Sequence, residues 1–190
     1  MGSVPATQTF LAGEKVTSSK LTAATKTVLD FLLNPPLAMI TGTTTATALP
    51  TDGSGQAVNF TAEKFDTDNM VNLSTSSDRI TVQTPGLYEI DWSYGVTVSS
   101  GTTTVANTGP QVNTNCFVYV SGTPSGVLSC RGVAGGSVVV AHGKTKLRMA
   151  AGDTLSIQTQ TRLATGTTAA SVAAYNNYNT PHLSARFIAP

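Results

Sequence analysis

The chain has 190 residues, and 40% of them are hydrophobic, which is enough for one domain with a packed core. Only 11% are charged and the net charge is +1, so the composition offers no basic face for nucleic acid or anionic lipid. No apolar run reaches the roughly 18 residues of a membrane span. The N-terminus lacks the pattern of a secretory signal, so we expect synthesis in a cytoplasm.

Residues 1–36 have a helical pattern that the rest of the chain lacks. Thr17 and Ser18 suit the N-cap of a helix, and Asn34-Pro35-Pro36 ends it because proline lacks the amide hydrogen. Between them, helical spacing gives one apolar stripe at Leu21, Ala24, Val28 and Leu32. A lone helix of this length is marginal in water. We therefore predict that residues 1–36 form a docking element whose contacts are Leu21, Val28 and Leu32.

From Leu37 onward the hydrophobic pattern has a period of two, which indicates β-strands. Strands or short apolar runs are predicted at residues 37–48, 57–62, 79–84, 87–98, 115–121, 127–133, 138–141, 144–149, 154–161 and 183–189. Loops are predicted at residues 51–55, 99–110 and 165–170. The pattern favours one all-β domain, a sandwich or jelly roll of about 8–10 antiparallel strands with a short N-terminal helix.

The clearest strand is Leu87 to Val98, where every second residue is large and apolar. Tyr88, Trp92 and Tyr94 share one face of it, and Phe187 adds an aromatic in the closing strand. We interpret these four residues as core or trimer contacts, which is favoured over a sugar-stacking platform. Open sheet edges and more aromatic surface than one small sandwich needs predict a homotrimer.

Two cysteines flank a predicted hairpin turn at residues 122–126. Cys116 and Cys130 are symmetric about Thr123, so we predict that they lie nearly opposite each other across the hairpin. Cytoplasmic synthesis favours free thiols as the default. Their spacing, with no histidine nearby in sequence, does not resemble a zinc site.

Catalytic chemistry is not indicated. His142 and His182 lie near predicted strand ends and in no nucleophile motif, so a structural role is favoured for both, and no cofactor is predicted. Three carboxylates could bind a hard cation, but they are too few for a full ligand set, and a solvated loop is favoured; they are Asp66, Asp68 and Asp78.

A polar aromatic segment near the C-terminus is a candidate exposed binding loop, because Asn and Tyr supply adaptable contacts. It consists of Tyr175, Asn176, Asn177 and Tyr178. The alternative, which we favour, is an ordinary loop that leads into the last strand.

Three segments resemble landmarks of the complement globular-head and tumour necrosis factor superfamily. They are the Pro-Gly-Leu-Tyr strand start in residues 84–90, the Gly-Asp hairpin in residues 150–157, and the closing strand in residues 184–189. Residues 65–70 followed by residues 79–82 resemble the version of this domain found in phage fibres. The resemblance covers roughly residues 57–190. It implies a ten-stranded jelly roll and a homotrimer used for binding and assembly, without chemistry.

The segment from Phe10 to Leu21 is similar to the start of small tail and fibre proteins of phages that infect actinobacteria, although Thr22 replaces their usual Asn. The two resemblances imply a non-enzymatic virion protein made in the bacterial cytoplasm. Residues 1–36 would anchor it to other virion proteins, and residues 37–190 would form a head. The expected role is a minor tail or fibre protein that can bind a host-surface glycan or protein. The alternatives are a capsid decoration or head-fibre protein and, from another class, a free lectin-like module.

Overall fold

The computed structural model describes Thr9 and residues 11–43, 52–98, 101–103, 111–133, 137–163, 167–169, 172–174 and 181–190. Within these ranges the chain forms one helix and thirteen strands. They are α1 (Ser18–Leu33), β1 (Leu37–Thr43), β2 (Asp52–Ala57), β3 (Phe60–Asp66), β4 (Arg79–Thr81), β5 (Gly86–Val98), β6 (Gly101–Thr103), β7 (Gln111–Val120), β8 (Thr123–Val133), β9 (Ser137–Met149), β10 (Thr154–Leu163), β11 (Thr167–Ala169), β12 (Val172–Ala174) and β13 (His182–Ala189).

All pairings between these strands are antiparallel, and the larger two sheets carry most of them. In the first sheet, β9 lies along one edge of β5, while β12 and β13 pair with its other edge; β1 and β3 follow after β13. In the second sheet the order is β8, β7, β10, with β2 and β4 both paired to the far edge of β10. The short strands β6 and β11 pair only with each other among the described residues.

The order of pairing identifies a jelly roll. The chain reverses between β7 and β8, and strands on the two sides of that reversal pair in mirror order: β7 with β8, β5 with β9, β4 with β10, and β1 with β13. A doubled ribbon that is rolled into two facing sheets produces this order, and eight strands in two Greek keys define the fold. The predicted jelly-roll sandwich is therefore confirmed.

The core lies between the two sheets and is built from the alternation seen in the sequence. On β5, Tyr88, Ile90, Trp92 and Tyr94 are buried, whereas Glu89 and Asp91 between them remain partly exposed. Leu155 and Ile157 on β10 are fully buried in the same cluster. Hydrophobic burial of this kind is the main favourable term in folding.

Four aromatic residues were interpreted from the sequence as either core or trimer contacts. The structure places all four in the core of the single chain. Tyr88, Trp92 and Tyr94 are no more than 4% exposed, and Phe187 is 8% exposed. The rings of Tyr88 and Phe187 meet edge to face at 5.6 Å, a favourable aromatic geometry. The aromatic surplus that we offered as a reason for trimer formation is therefore absent, because one sandwich buries these rings.

Three predicted loops contain strands, and one predicted break between strands is absent. Residues 52–55 belong to β2, where Gly55 pairs with Gln160 of β10, and parts of residues 99–110 and 165–170 form β6 and β11. Strand β9 runs unbroken through Gly143. Strand formation depends strongly on the neighbouring strand, so a Gly-rich segment with low β-propensity, such as β2, is held extended by the partner against which it lies.

The predicted opposition of Cys116 and Cys130 is wrong. In the hairpin between β7 and β8, Cys116 pairs with Leu128, and Cys130 pairs with Thr114. The loop is the two-residue turn at Ser121 and Gly122, both with positive φ (46° and 82°), as a type I′ turn requires. This turn lies earlier in the chain than the predicted one, and Cys130 is consequently two residues beyond the position that faces Cys116.

Candidate docking helix and its junction with the head

Helix α1 begins at a well-defined cap. Thr17 is the N-cap, as predicted, and its hydroxyl accepts a hydrogen bond from the Lys20 amide at 3.3 Å. Glu14 in the preceding turn pairs with the Lys20 side chain and accepts from the Leu11 amide at 3.0 Å. The Leu11 hydrogen bond and then the Lys20 contact hold the pKa of Glu14 below its usual value. Residues 11–14 are thus held against the first turn of the helix.

The apolar stripe of α1 is exposed. Leu21 is 52% exposed, Val28 39% and Leu32 67%. Leu29 and Leu33, which the sequence analysis did not single out, are also exposed. Single exposed leucines are normal on protein surfaces, but a contiguous apolar patch marks an interaction site. Leu21, Val28 and Leu32 are thus left uncovered by the part of the chain that the structure describes.

Beside the stripe, the helix meets the head through Phe31, a residue that the sequence analysis did not single out. Phe31 is half-buried and packs against the core, where its ring meets that of Phe187 edge to face at 5.2 Å. Phe31 is the only aromatic residue of α1 and follows Ala24 and Val28 at helical spacing, and these two facts are the sequence signal that could have identified it. The helix therefore rests on the head at its C-terminal end.

The junction after the helix is tied down by Thr67. The Thr67 hydroxyl donates to the carbonyl of Pro35 at 2.7 Å and accepts from the Leu37 amide at 2.9 Å. The Phe187 amide donates to the Pro36 carbonyl at 2.9 Å. Two prolines with restricted backbones, held on both sides by hydrogen bonds, give a stiff connection. The direction of α1 is consequently fixed relative to β1 and β13.

The three carboxylates considered for a cation are each engaged by protein groups. Asp66 accepts hydrogen bonds from the amides of Asp68, Met70 and Val71 at 2.9–3.1 Å. Asp68 is buried and accepts from the Thr84 hydroxyl at 2.8 Å, while Asp78 pairs with Arg79. Within the described ranges, no three His, Cys, Asp or Glu side chains are grouped as metal ligands would be. Their role is to fold the loop between β3 and β4.

The residues behind the family resemblance have structural roles. The Tyr88 hydroxyl donates to the carbonyl of Thr84 at 2.6 Å, and burial, followed by the nearby charge of Asp68, raises the pKa of Tyr88 far above its usual value. A Cβ at Gly86 would lie 2.6 Å from the carbonyl oxygen of Ala189, so no larger residue fits there. These contacts join the start of β5 to the end of β13.

The Gly-Asp segment between β9 and β10 is not the predicted hairpin, because β9 pairs with β5 in the first sheet and β10 pairs with β7 in the second. It is a turn between the two sheets, and its aspartate holds it. The Asp153 carboxylate accepts from the Ala150 amide at 2.7 Å and from the Ser121 hydroxyl at 2.9 Å. Gly152 has φ 90°, a left-handed conformation that favours glycine. The contact with Ser121 links this turn to the turn between β7 and β8. The motif thus joins the connection between the two sheets to the hairpin of β7 and β8.

The remaining candidates show no catalytic grouping. His182 lies 3.2 Å from Asp91, Nε2 to Oδ1, on the first sheet, and His142 is exposed on β9. Residues 175–178, the candidate binding loop, fall outside the described residues. In the described part of the chain, no helix has the length and apolar character needed to cross a membrane.

No protein-family model matches the chain, and no curated protein matches it. The solved structures that are similar to it include the following two. The globular domain of a zebrafish complement 1qA protein is 15% identical, with a TM-score of 0.47, and the match covers 80% of this chain and 97% of that one. Murine APRIL is 8% identical, with a TM-score of 0.48, and the match covers 80% and 98%. The assignment of the fold rests on the strand order described above.

Proposed function

We propose that this protein is a non-enzymatic structural protein of a phage particle, a trimeric jelly-roll head displayed by its N-terminal helix. In this role it is a minor tail or fibre protein that contributes to attachment at the host surface. The observation that carries the proposal is the exposed stripe of α1, at Leu21, Val28 and Leu32, on a helix whose direction is fixed by the junction at Pro35 and Pro36. The similarity of residues 10–21 to phage tail proteins supports the same role.

The stripe is suited to docking because moving its apolar side chains from water into a protein interface is favourable. Fully burying each leucine or valine contributes about 1.5–3 kcal/mol. An amphipathic helix commonly binds by laying its apolar face into a groove of a partner. The partner in our proposal is another protein of the particle. Leu21, Val28 and Leu32 remain exposed although Phe31, beside them on the helix, packs against the head.

The anchor is tested by placing charges on the stripe of the full chain. The double variant Val28→Lys, Leu32→Lys adds two cations near the C-terminal end of α1, where the helix dipole favours them, so the helix itself should persist. We expect unchanged melting of the head but loss of the protein from purified particles, since an unpaired buried charge is costly. Copy number is measured on protein gels of the particles.

The matched control is Ser19→Lys, Thr22→Lys, which adds the same charge at exposed polar positions of the same helix. It should load onto particles normally. Normal copy number of the stripe variant would contradict the anchor assignment. Electron microscopy of particles carrying labelled protein then shows whether the site is on the tail, as we propose, or on the capsid.

The trimer is tested on the isolated protein. Mass photometry at micromolar concentration should give three times the mass of the 19.5 kDa chain. A stable monomer under these conditions would contradict the assembly. The anchor measurement does not depend on this result, because particle loading is scored for the full chain whatever its oligomeric state.

A further inference from the structure

Three basic residues alternate along β9 and are all exposed. They are Lys144, Lys146 and Arg148, and the residues between them, Thr145 and Leu147, are less exposed. Alternate residues of a strand point to one face of the sheet and lie about 6.8 Å apart. The outer face of the first sheet therefore carries a row of cations that spans roughly 14 Å of β9.

The strand register adds a fourth cation to this row from a distant part of the sequence. On β5, Glu89 pairs with Lys146 on one side and with Arg186 of β13 on the other. Neighbouring strands are about 4.8 Å apart, so Lys146 and Arg186 flank Glu89 at about 10 Å from each other. We call the set of Lys144, Lys146, Arg148 and Arg186 the cationic face.

Acidic residues neutralise only part of the cationic face. Lys144 pairs with Glu89 at 2.7 Å, and Asp91 contacts His182. The Lys144 hydrogen bond lowers the pKa of Glu89, and the charges of Lys146 and Arg186 act in the same direction. Among the described residues, Lys146, Arg148 and Arg186 make no ion pair of their own. Four cations against two carboxylates leave an excess of two positive charges, on a chain whose net charge is +1.

Beside Arg148 the cationic face ends at a shallow depression of about 560 Å³. Its lining is mostly apolar and includes Pro85, Met149, Ala150 and Pro190, with Arg148 at one side. The Asp153 carboxylate also lines the depression. It accepts hydrogen bonds from the Ala150 amide and the Ser121 hydroxyl. An apolar hollow next to a cation suits a ring with a nonpolar face and a negatively charged substituent.

We propose that the cationic face binds an acidic polysaccharide, with one sugar unit seated in the depression beside Arg148 and further negative groups over Lys146 and Arg186. The cations are spread over a flat grid and not gathered in one pocket, so the ligand is a chain with repeated charges and not a small anion. Charge complementarity over several weak contacts gives such a complex its affinity and its salt dependence. This inference stands apart from the virion proposal, because it concerns only the head.

Nucleic acid, the other common polyanion, fits this face less well. Single-stranded nucleic acid is held largely by stacking of bases on aromatic side chains. The exposed positions around the four cations on β5, β9 and β13 carry no Phe, Tyr or Trp among the described residues, since Tyr88, Trp92, Tyr94 and Phe187 are all buried.

The test compares binding of the full chain to dextran sulfate and to uncharged dextran, which share one backbone. At 0.15 M salt the protein should bind dextran sulfate and not dextran. Replacing two cations, Lys146→Gln with Arg186→Gln, should weaken binding about tenfold, from two exposed ionic contacts. The charge-preserving variant Lys146→Arg with Arg186→Lys should retain binding. Unchanged melting temperatures establish that the variants are folded.

The matched control, Lys26→Gln with Lys64→Gln, removes the same charge at exposed positions outside the cationic face. It should bind dextran sulfate within about twofold of the unmodified chain. If both double variants lost affinity for dextran sulfate equally, the loss would follow from net charge alone, and the proposal would be overturned. Tighter binding to a DNA of equal charge would overturn it in favour of nucleic acid. A lower oligomeric mass of the Gln variant alone would show that the face joins copies of the chain and would also overturn it.

Discussion

Replacing Gly143 by alanine tests how tightly the core closes over Trp92. The two residues pair across β9 and β5. A Cβ at Gly143 would lie 2.6 Å from Cη2 and 2.8 Å from Cε2 of the Trp92 ring. These distances are shorter than real carbon contacts, and the ring is only 4% exposed, so it cannot swing into solvent. Either the indole leaves its preferred rotamer or the two strands separate locally.

The expected cost follows from the rigidity of this contact. Inserting one carbon into a well-packed core costs about 1–3 kcal/mol, and a ring enclosed on all sides places the Gly143→Ala variant in the upper half of that range. For a domain of this size each kcal/mol lowers the melting temperature by about 2–4 °C. We therefore expect a free energy of unfolding lower by about 2–3 kcal/mol and a melting temperature lower by about 4–12 °C.

The measurement is chemical unfolding followed by the fluorescence of Trp92, the only tryptophan of the chain. The control is Gly55→Ala on β2, where the nearest atom to an added Cβ is the flexible Oε1 end of Gln158 at 3.2 Å. That variant should unfold within about 0.5 kcal/mol of the unmodified chain. Equal midpoints for the two alanine variants would show that the contact between Gly143 and Trp92 is not close-packed.

Two further substitutions test buried hydrogen bonds. Tyr88→Phe removes the hydroxyl that donates to Thr84 and should cost about 1–2 kcal/mol at neutral pH. Burial raises the pKa of Tyr88, so its contribution to stability is complete below pH 10, the usual tyrosine value, and declines above it as the unfolded chain releases the proton. The Tyr88→Phe variant should therefore lose less of its free energy of unfolding at alkaline pH than the unmodified chain does. An identical loss of stability in the two proteins would contradict this. Asp66→Ala leaves three amides without their acceptor and should lower the free energy of unfolding in urea by about 2–3 kcal/mol. The control Asp78→Ala breaks a partly exposed ion pair and should lower it by less than about 1 kcal/mol. Equal changes in the two variants would contradict the role of Asp66 as an acceptor for the loop amides.

Periodic and capping signals predicted the fold well because they depend on neighbours in sequence. The alternation from Tyr88 to Tyr94 requires one buried face, and the helix cap at Thr17 requires only the residues that follow it. Their outcomes in the structure match the expectation. Strand β2 escaped prediction because Gly53, Ser54 and Gly55 favour loops, and only the edge of β10 makes them extended.

The hairpin register and the cationic face could not be predicted for a different reason. Ser121 adopts a positive φ that serine seldom takes, so the glycines and proline that follow it gave a misleading turn position. The basic residues of β9 were visible in sequence as Lys144-Thr145-Lys146-Leu147-Arg148. Their meeting with Arg186 depends on the pairing of three strands from distant parts of the chain, and no local pattern contains that information.

The central position of β13 has a kinetic consequence. This strand lies between β5 and β1, and it also supplies the Phe187 amide that closes the helix junction. Until residues 182–189 have emerged from the ribosome, β1 has no partner on that side and β5 presents an open edge, which is a template for pairing with other chains. Contacts of such long sequence separation form slowly. Nascent chains should therefore be exposed to aggregation until β13 emerges, and the emergence of β13, not the making of the first strands, should set the moment at which the sandwich closes.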